Sequence, residues 1–580
     1  MRNRRLKSTS PLFMERMEDT VRAFSSSGRA FFIFFTTLLV ISVGGLLYIL
    51  NASLLVAVPT RGGAWSEGIV GAPRFINPVL AISEADQDIL SLVYSGLLKA
   101  TPKGDYMPDL AESYTISPDG RTYTFVLRPK IVFQDNTPVT ADDIVFTIAK
   151  TQDTVLKSPE RANWNGVLVQ KINERTVSFT LRQAYAPFVE NLTIGILPKH
   201  AWQSVTDDDF AFNPMNTTPI GSGPFIVSKV SKSSSGVPSS YTLRAFPGYV
   251  HGVPYLDTIN FRFYQNEDSL IDGLKKNEVS AASSISPARL NELSDLSATH
   301  APLNRVFGVF FNQNQSDVLR DSTVRQALND SIDRDELVRL VLGGYGSPLT
   351  GPLPPSVLQQ SSTAKASTSN TSLETARAKL TAAGWQPGPT GTLQKTTGSG
   401  KTVKTIMLSF SLSTGNVPEL RAAAEYLRKV WSDLGVHVEI GVYDQGDLTQ
   451  NVIRPRKYDA LLFGEVIGRE PDLFAFWDTS ERIDPGLNIA MYANSTVDHM
   501  LEQLRITQDE NQRKGLYQQF TDAIAKDTPA IFLYAPDFVY IVPKDIEGLD
   551  LGFIETPSDR FLSVTGWHRQ TDYVWPLFAR

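Results

Sequence analysis

Residues 30 to 50, AFFIFFTTLLVISVGGLLYIL, run for 21 residues without a charge. Coiled as a helix, such a run spans roughly 30 Å, the thickness of a bilayer's hydrocarbon layer. It is apolar on every side, whereas a helix packed on a soluble core keeps a polar face for water. Residues 1 to 29 carry seven Lys/Arg and three Asp/Glu, a net of +4. Excess positive charge holds its side of a span in the cytoplasm. The whole chain carries −6, so everything after the run carries −10 and is expected outside. A cleaved signal has a shorter leader and a shorter apolar region. The pattern therefore predicts a cytoplasmic tail over 1–29, an uncleaved transmembrane anchor over 30–50, and an extracytoplasmic bulk on a single-pass protein of the cell membrane.

The remaining length is too great for one core and implies several domains. The chain has no cysteine. That excludes disulfides, thiolate metal sites, cysteine nucleophiles and a lipidated N-terminal cysteine. The acidic exterior lacks a basic stripe interleaved with aromatics, so no nucleic-acid partner is expected. The six histidines, at 200, 251, 300, 437, 499 and 568, show no metal-ligand spacing, and no metal or cofactor is expected. GSGKT at 398–402 lacks the upstream glycine of a phosphate-binding loop and reads as a hairpin tip. GSG at 221–223 is not a nucleophile elbow. No nucleophile, base and orienter assemble from neighbouring motifs, so the expectation is a protein that does no catalysis.

The most conspicuous carboxylate pair is Asp142-Asp143, in FQDNTPVTADDIVFTI. Thr140 suits an N-cap, and Asp143 stands where it can reach back to the cap. Both acids favour a positive helix end. The pair is thus helix grammar. Elsewhere TYTFVL (122–127) alternates like a half-buried strand. ADQDILSLVYSGLLKA (85–100) has helical spacing, and STVRQALNDSIDRDELVRLVLGG (322–344) reads as one long helix or a pair. ELRAAAEYLRKVWSDLG (419–435) is a helix with a glycine stop, followed by the strand VHVEIGVYD. Alternating helices and strands imply α/β layers. SSTAKASTSNTS (361–372) is a low-complexity loop.

Several stretches together resemble the solute-binding proteins of ABC importers, of the peptide and nickel binding family. They are GAPRFINPVLAISEADQDILSLVYSGLL, MPDLAESYTISPDGRTYTFVLRPKIVFQDNTPVTADDIVFTI, PIGSGPFIVSKV, VRQALNDSIDRDELVRLVLGG and residues 493–534, in that order. Where the family usually has His-Asp-Gly, Gln134-Asp135-Asn136 stands here. The resemblance implies a two-lobed α/β flytrap of the type II periplasmic-binding kind, with an inserted subdomain in lobe one. Mapped onto this chain, lobe one covers about 64–303 with the subdomain near 96–215, lobe two about 304–533, and 534–580 returns to lobe one. RVFGVFFNQ (305–313) and PAIFLYAPD are the implied crossings between lobes.

The same resemblance implies a peptide held between the lobes and delivered to a permease, by a monomer tethered through its N-terminal helix. A buried ligand ammonium needs a carboxylate. In the matching region, YDALLFGEVIGREPDLFAFW (458–477), Glu465 is the first candidate for that anchor, with Asp472 and Glu470 as rivals. Asp472 can instead cap the next helix. The backbone of Phe463 and Gly464 is a candidate edge for an added peptide strand. Phe474 and Trp477 are candidates for a side-chain pocket or for core, and Asn312 at the end of the first crossing completes the set of ligand-binding candidates. SLSTGNVPEL (411–420) lacks the Arg expected of strict dipeptide binders, which favours longer peptides. A receptor for a sugar, nickel or a metal chelate, a surface hydrolase and a sensory protein remain open alternatives.

Overall fold

The computed structural model describes residues 20–21, 23–283, 285–354, 357, 373–398 and 403–578. The loop at 361–372 and most of GSGKT lie outside these residues. Two units are distinguished, Met1–Thr60 with Gln570–Arg580, and Arg61–Arg569.

In the first unit the uncharged run becomes one helix, Ser26–Leu54. Ser25 caps it, its hydroxyl accepting from the Gly28 N–H at 3.3 Å, which starts the helix before the apolar run itself. None of its residues is buried, and it is long and apolar enough to cross a membrane. The chain then extends, and Val56–Thr60 pairs antiparallel with Gln570–Val574, from Val56 opposite Val574 to Thr60 opposite Gln570.

The second unit is built on a twelve-stranded sheet. Its middle strand, Ala530–Val542, is AIFLYAPDFVYIV, buried along nearly its whole length. The first half pairs with Arg305–Phe311 and the second half with Ser297–Pro302. The change of partner falls beside Pro536, which has no N–H to give a ladder. One strand thus serves both halves of the sheet, which are called lobe one and lobe two after the division that the family resemblance implies. Toward lobe two the sheet continues through Ala460–Val466, Ser409–Gly415 and His437–Tyr443; toward lobe one, through Ala281–Ala282, Ala64–Val70, Thr258–Tyr264, Pro238–Ala245 and Phe225–Lys232.

Strand alternation sorts the cores, because successive side chains point to opposite faces. On the middle strand, Ile531 and Leu533 join a lobe-two core with Leu412 and Trp431, while Phe532 joins another with Leu461 and Trp477. Further along, Phe538 and Tyr540 pack with Trp65 and Trp567, and Val539 and Ile541 pack with Leu270. A separate core around Tyr123, Phe125, Trp164 and Phe179 lies on a four-stranded antiparallel sheet built from Ala111–Ile116, Thr122–Leu127, Thr176–Thr180 and Leu168–Asn173.

Local expectations are met where the cause is local. Asp143 accepts from the Thr140 N–H at 2.8 Å, closing the capping box of Ala141–Gln152, and Asp142 pairs with Lys171. Pro418–Leu434 ends at Gly435 in the left-handed region, φ 96°. Leu393–Thr397 and Lys404–Met407 pair antiparallel around the GSGKT segment. The helix expected over 85–100 stops at Val93, and Leu98–Ala100 is a strand. The cause is tertiary: Gly96 packs so tightly on Thr193 that a Cβ there would sit 2.6 Å from the Thr193 carbonyl oxygen. The 322–344 segment is two helices, Ser322–Asp330 and Arg334–Leu342, with Asp333 capping the second.

Candidate ligand-binding site

A cavity of about 760 Å³ lies between segments of the two lobes. Lobe one contributes the turn after helix Glu84–Val93, Tyr106, Glu190 on the short helix Phe188–Asn191, and the loop from Glu555 onward. Lobe two contributes Gly468 to Glu470, Asp472 and Phe476. Seven carboxylates line it against two cations, Lys99 and Arg469.

Arg469 is the strap across the cavity. Its guanidinium pairs with Asp559 at 2.5 Å, donates to the Thr101 and Phe553 carbonyls at 3.4 and 3.3 Å, and lies over the Phe553 ring. All of these partners belong to lobe-one segments. The Glu470 N–H donates to Glu190 at 3.4 Å, and the Tyr185 hydroxyl donates to Asp472 at 3.1 Å. At the crossing, the buried Asn304 side chain donates to the Ile467 and Gly468 carbonyls.

Glu190 and Glu555 face each other with a hydrogen bond between their carboxyls, and burial pushes both above the ordinary carboxylate range. Two like charges so close oppose one another's ionisation. Tyr94 is buried and Tyr106 half-buried; both line the cavity, and neither hydroxyl has a hydrogen-bond partner among the described residues.

The expected site residues divide sharply. Glu470 lines the cavity and is held by Arg513 at 2.6 Å. Asp472 lines it too, gripped by Arg505 at 2.7 Å while accepting from the Phe474 N–H at 3.3 Å; the N-cap of helix Phe474–Trp477 is Leu473, not Asp472. Glu465 does not line the cavity. It lies on strand Ala460–Val466, opposite Val306, 3 % exposed, and neither carboxylate oxygen has a hydrogen-bond partner among the described residues. Burial pushes its pKa well above the carboxylate range.

Phe463 and Gly464 pair with Gly308 and Phe307 on one edge, and the ladder to Ser409–Gly415 on the other edge stops at Leu462. Gly464 is required where it stands, since a Cβ would meet the Phe307 ring at 2.6 Å. Trp477 is core, fully buried against Phe310 and Phe520, and Phe474 lies under the Arg505 guanidinium at 3.9 Å. Phe476, between them in sequence, lines the cavity. Asn312 is also structural: it is buried, its amide donating to the Arg456 carbonyl and its oxygen accepting from the Asn314 N–H. Glu190, Glu555, Arg469 and the two tyrosines went unnoticed in the sequence. Only Arg469, inside GREPD, stood near a segment already suspected.

Among the described residues no cluster of three or more potential ligand side chains could hold a metal ion.

Comparison with known proteins agrees with this architecture. Residues 105–481 match the bacterial extracellular solute-binding proteins, family 5. The chain belongs to that family. The oligopeptide-binding protein AppA of Bacillus subtilis is 28% identical, over 84% of this chain and 89% of its own length. Among solved structures, the ABC transporter substrate-binding protein CtaP of Listeria monocytogenes is 25% identical with a TM-score of 0.73, covering 88% of this chain and all of that one. The structure of B. subtilis AppA in complex with a nonapeptide is 25% identical with a TM-score of 0.66, covering 88% and 99%. These neighbours are two-lobed α/β solute-binding proteins, the architecture seen here.

Proposed function

We propose that this chain is a membrane-anchored receptor that takes peptides between its lobes and presents them to the permease of an ABC importer. The observation that carries the reading is the acid-rich cavity spanned by Arg469, lined by segments far apart in the chain. A site of this size, with few polar groups converging from two lobes, suits a ligand that closure then encloses. A peptide brings a cationic terminus to acids and a main chain to unpaired strand edges. The relatives named as oligopeptide binders support that ligand class.

Glu465 is our choice for the ammonium anchor. Its two rivals already hold arginines, so an ammonium there displaces an existing partner. Glu465 has both oxygens without donors among the described residues, a condition that calls for an explanation in a folded protein. A peptide extended along Phe463 and Gly464 brings its terminus to that carboxylate. The helix Ser26–Leu54 serves as the anchor, keeping the receptor near its permease.

The test is calorimetric titration of the full chain in detergent with tetra-alanine, free or N-acetylated. Free tetra-alanine should bind, and acetylation should weaken it by a factor of about 30 or more, the effect of removing one partner from a buried charge pair. Glu465→Gln should erase the distinction, whereas Glu470→Gln should preserve it. Equal binding of the two peptides refutes the anchor. Failure of both, together with binding of a sugar or a nickel chelate, refutes the peptide class.

A further inference from the structure

The first unit joins the two ends of the chain. Helix Ser26–Leu54 ends two residues before Val56, and Val56 stands opposite Val574. The pairing is antiparallel, so the residues after Val574 run back toward the helix end. Those residues are Trp575, Pro576, Leu577 and Phe578, with Pro576–Phe578 in a short 3-10 turn. Their large side chains are bare: Trp575 is 46 % exposed, Leu577 83 %, Phe578 71 %, and Tyr573 just before them 65 %. The rest of the chain does not treat tryptophan this way. Each of the other seven is at most 3 % exposed.

We propose that residues 573–578 form a second membrane contact, an aromatic foot seated in the headgroup layer beside the exit of the helix. The inference rests on reading Ser26–Leu54 as a membrane span. Given that span, the strand register leaves the foot no other depth: it begins next to the residue where the helix ends. Trp and Tyr favour that layer, where the ring meets hydrocarbon and the polar atom meets water. Leu577 and Phe578 supply the apolar contact that scattered exposed residues would lack. A soluble partner is a poorer match, since it would have to reach the chain at the membrane surface itself. The foot ties both chain ends to the bilayer, and two attachments restrict the receptor's orientation more than one flexible tether does. It also requires the anchor to be retained, because cleavage near residue 60 removes the strand that holds Gln570–Val574.

The experiment uses the full chain in phosphatidylcholine–phosphatidylglycerol vesicles carrying lipid brominated near the headgroup or deep in the acyl chain. The helix has no tryptophan and the other seven are buried, so quenching reports Trp575. Shallow bromine should remove up to about one-eighth of the emission, one tryptophan of eight. Deep bromine should remove less, and Trp575→Phe, a change at an exposed site, should abolish the quenched component. Full iodide access to Trp575 in vesicles, or equal quenching of wild type and Trp575→Phe, overturns the foot. Vesicle flotation separates the two layers of the argument. A chain that floats without quenching keeps the anchor and loses the foot, and a mature chain that starts near residue 60 and does not float loses both.

Discussion

Strand Ala64–Val70 in lobe one and strand Ala460–Val466 in lobe two each carry a glutamate into the interior, with opposite provision. Glu67 accepts from Arg560 Nε at 2.8 Å, from Trp65 Nε1 at 2.9 Å and from the Tyr540 hydroxyl at 2.6 Å. The same guanidinium grips Asp88 with two bonds, at 2.7 and 2.6 Å. Glu465 has no such partner among the described residues. A buried charge must be paired or neutralised. Lobe one pairs its own from within the chain, so that network serves the fold. Lobe two leaves Glu465 to hold its proton, or, in our proposal, to meet an ammonium from outside. The comparison teaches that burial alone does not say whether a carboxylate serves the fold; its partners do.

The largest perturbation attacks the satisfied side. Arg560→Leu leaves Glu67 and Asp88 buried without their cation. A loss of about 3–5 kcal/mol is expected, in guanidinium unfolding of the full chain in detergent. A loss under about 1 kcal/mol would mean that water already solvates the two acids.

Glu465→Gln attacks the unsatisfied side and has the opposite sign. In the folded chain Glu465 is protonated, its pKa raised by burial; in the unfolded chain it ionises above its ordinary 4.5. The stability associated with that proton is fully present below pH 4.5 and is lost as the pH rises toward the folded pKa. The glutamine variant removes this slope. At pH 8 it should be more stable than wild type by roughly 1–3 kcal/mol, while losing its preference for a free peptide terminus. Parallel melting curves for variant and wild type between pH 5 and pH 8 would show that Glu465 is solvated, and the comparison with Glu67 would collapse.

The smallest effect belongs to the acid pair that first drew attention. Asp142 is half-exposed and touches Lys171 and Lys199 at the surface. Asp142→Asn should move the midpoint of unfolding by no more than about 0.5 kcal/mol. A much larger shift would show that surface charge in this subdomain carries more than helix grammar.

Much of the scaffold was legible because its causes are short-range. The capping box at Thr140 and Asp143 spans three residues, the alternation of TYTFVL has period two, and Gly435 follows its helix directly. RVFGVFFNQ and PAIFLYAPD, implied as crossings by the family resemblance, fall on two neighbouring strands at the middle of the sheet. Where the reading went wrong, a distant segment had intervened: Thr193 presses on Gly96 and ends a helix that spacing alone would have continued. The site was legible only in outline. Glu470 and Asp472 were suspected, but their arginines, Arg513 and Arg505, stand 43 and 33 residues further on. Asn312 was suspected of binding and Trp477 was left between pocket and core; both are buried, because hydrogen-bonding and aromatic residue types look the same in either role.

By itself the sequence determined the apolar helix, the α/β alternation, the caps and turns, and the order of segments that marks the family. These follow from periods and neighbours along the chain, which a linear text records in full. Only the tertiary structure decided which acid meets which base. Tyr540 and Arg560 reach Glu67 across 473 and 493 residues of chain, and Glu190 meets Glu555 from the far end of the fold. Electrostatic fate depends on distance through space and on the water excluded from between, and neither is written in the spacing of residues. Glu67 and Glu465 are the same side chain on similar strands; packing alone left one of them waiting for a partner.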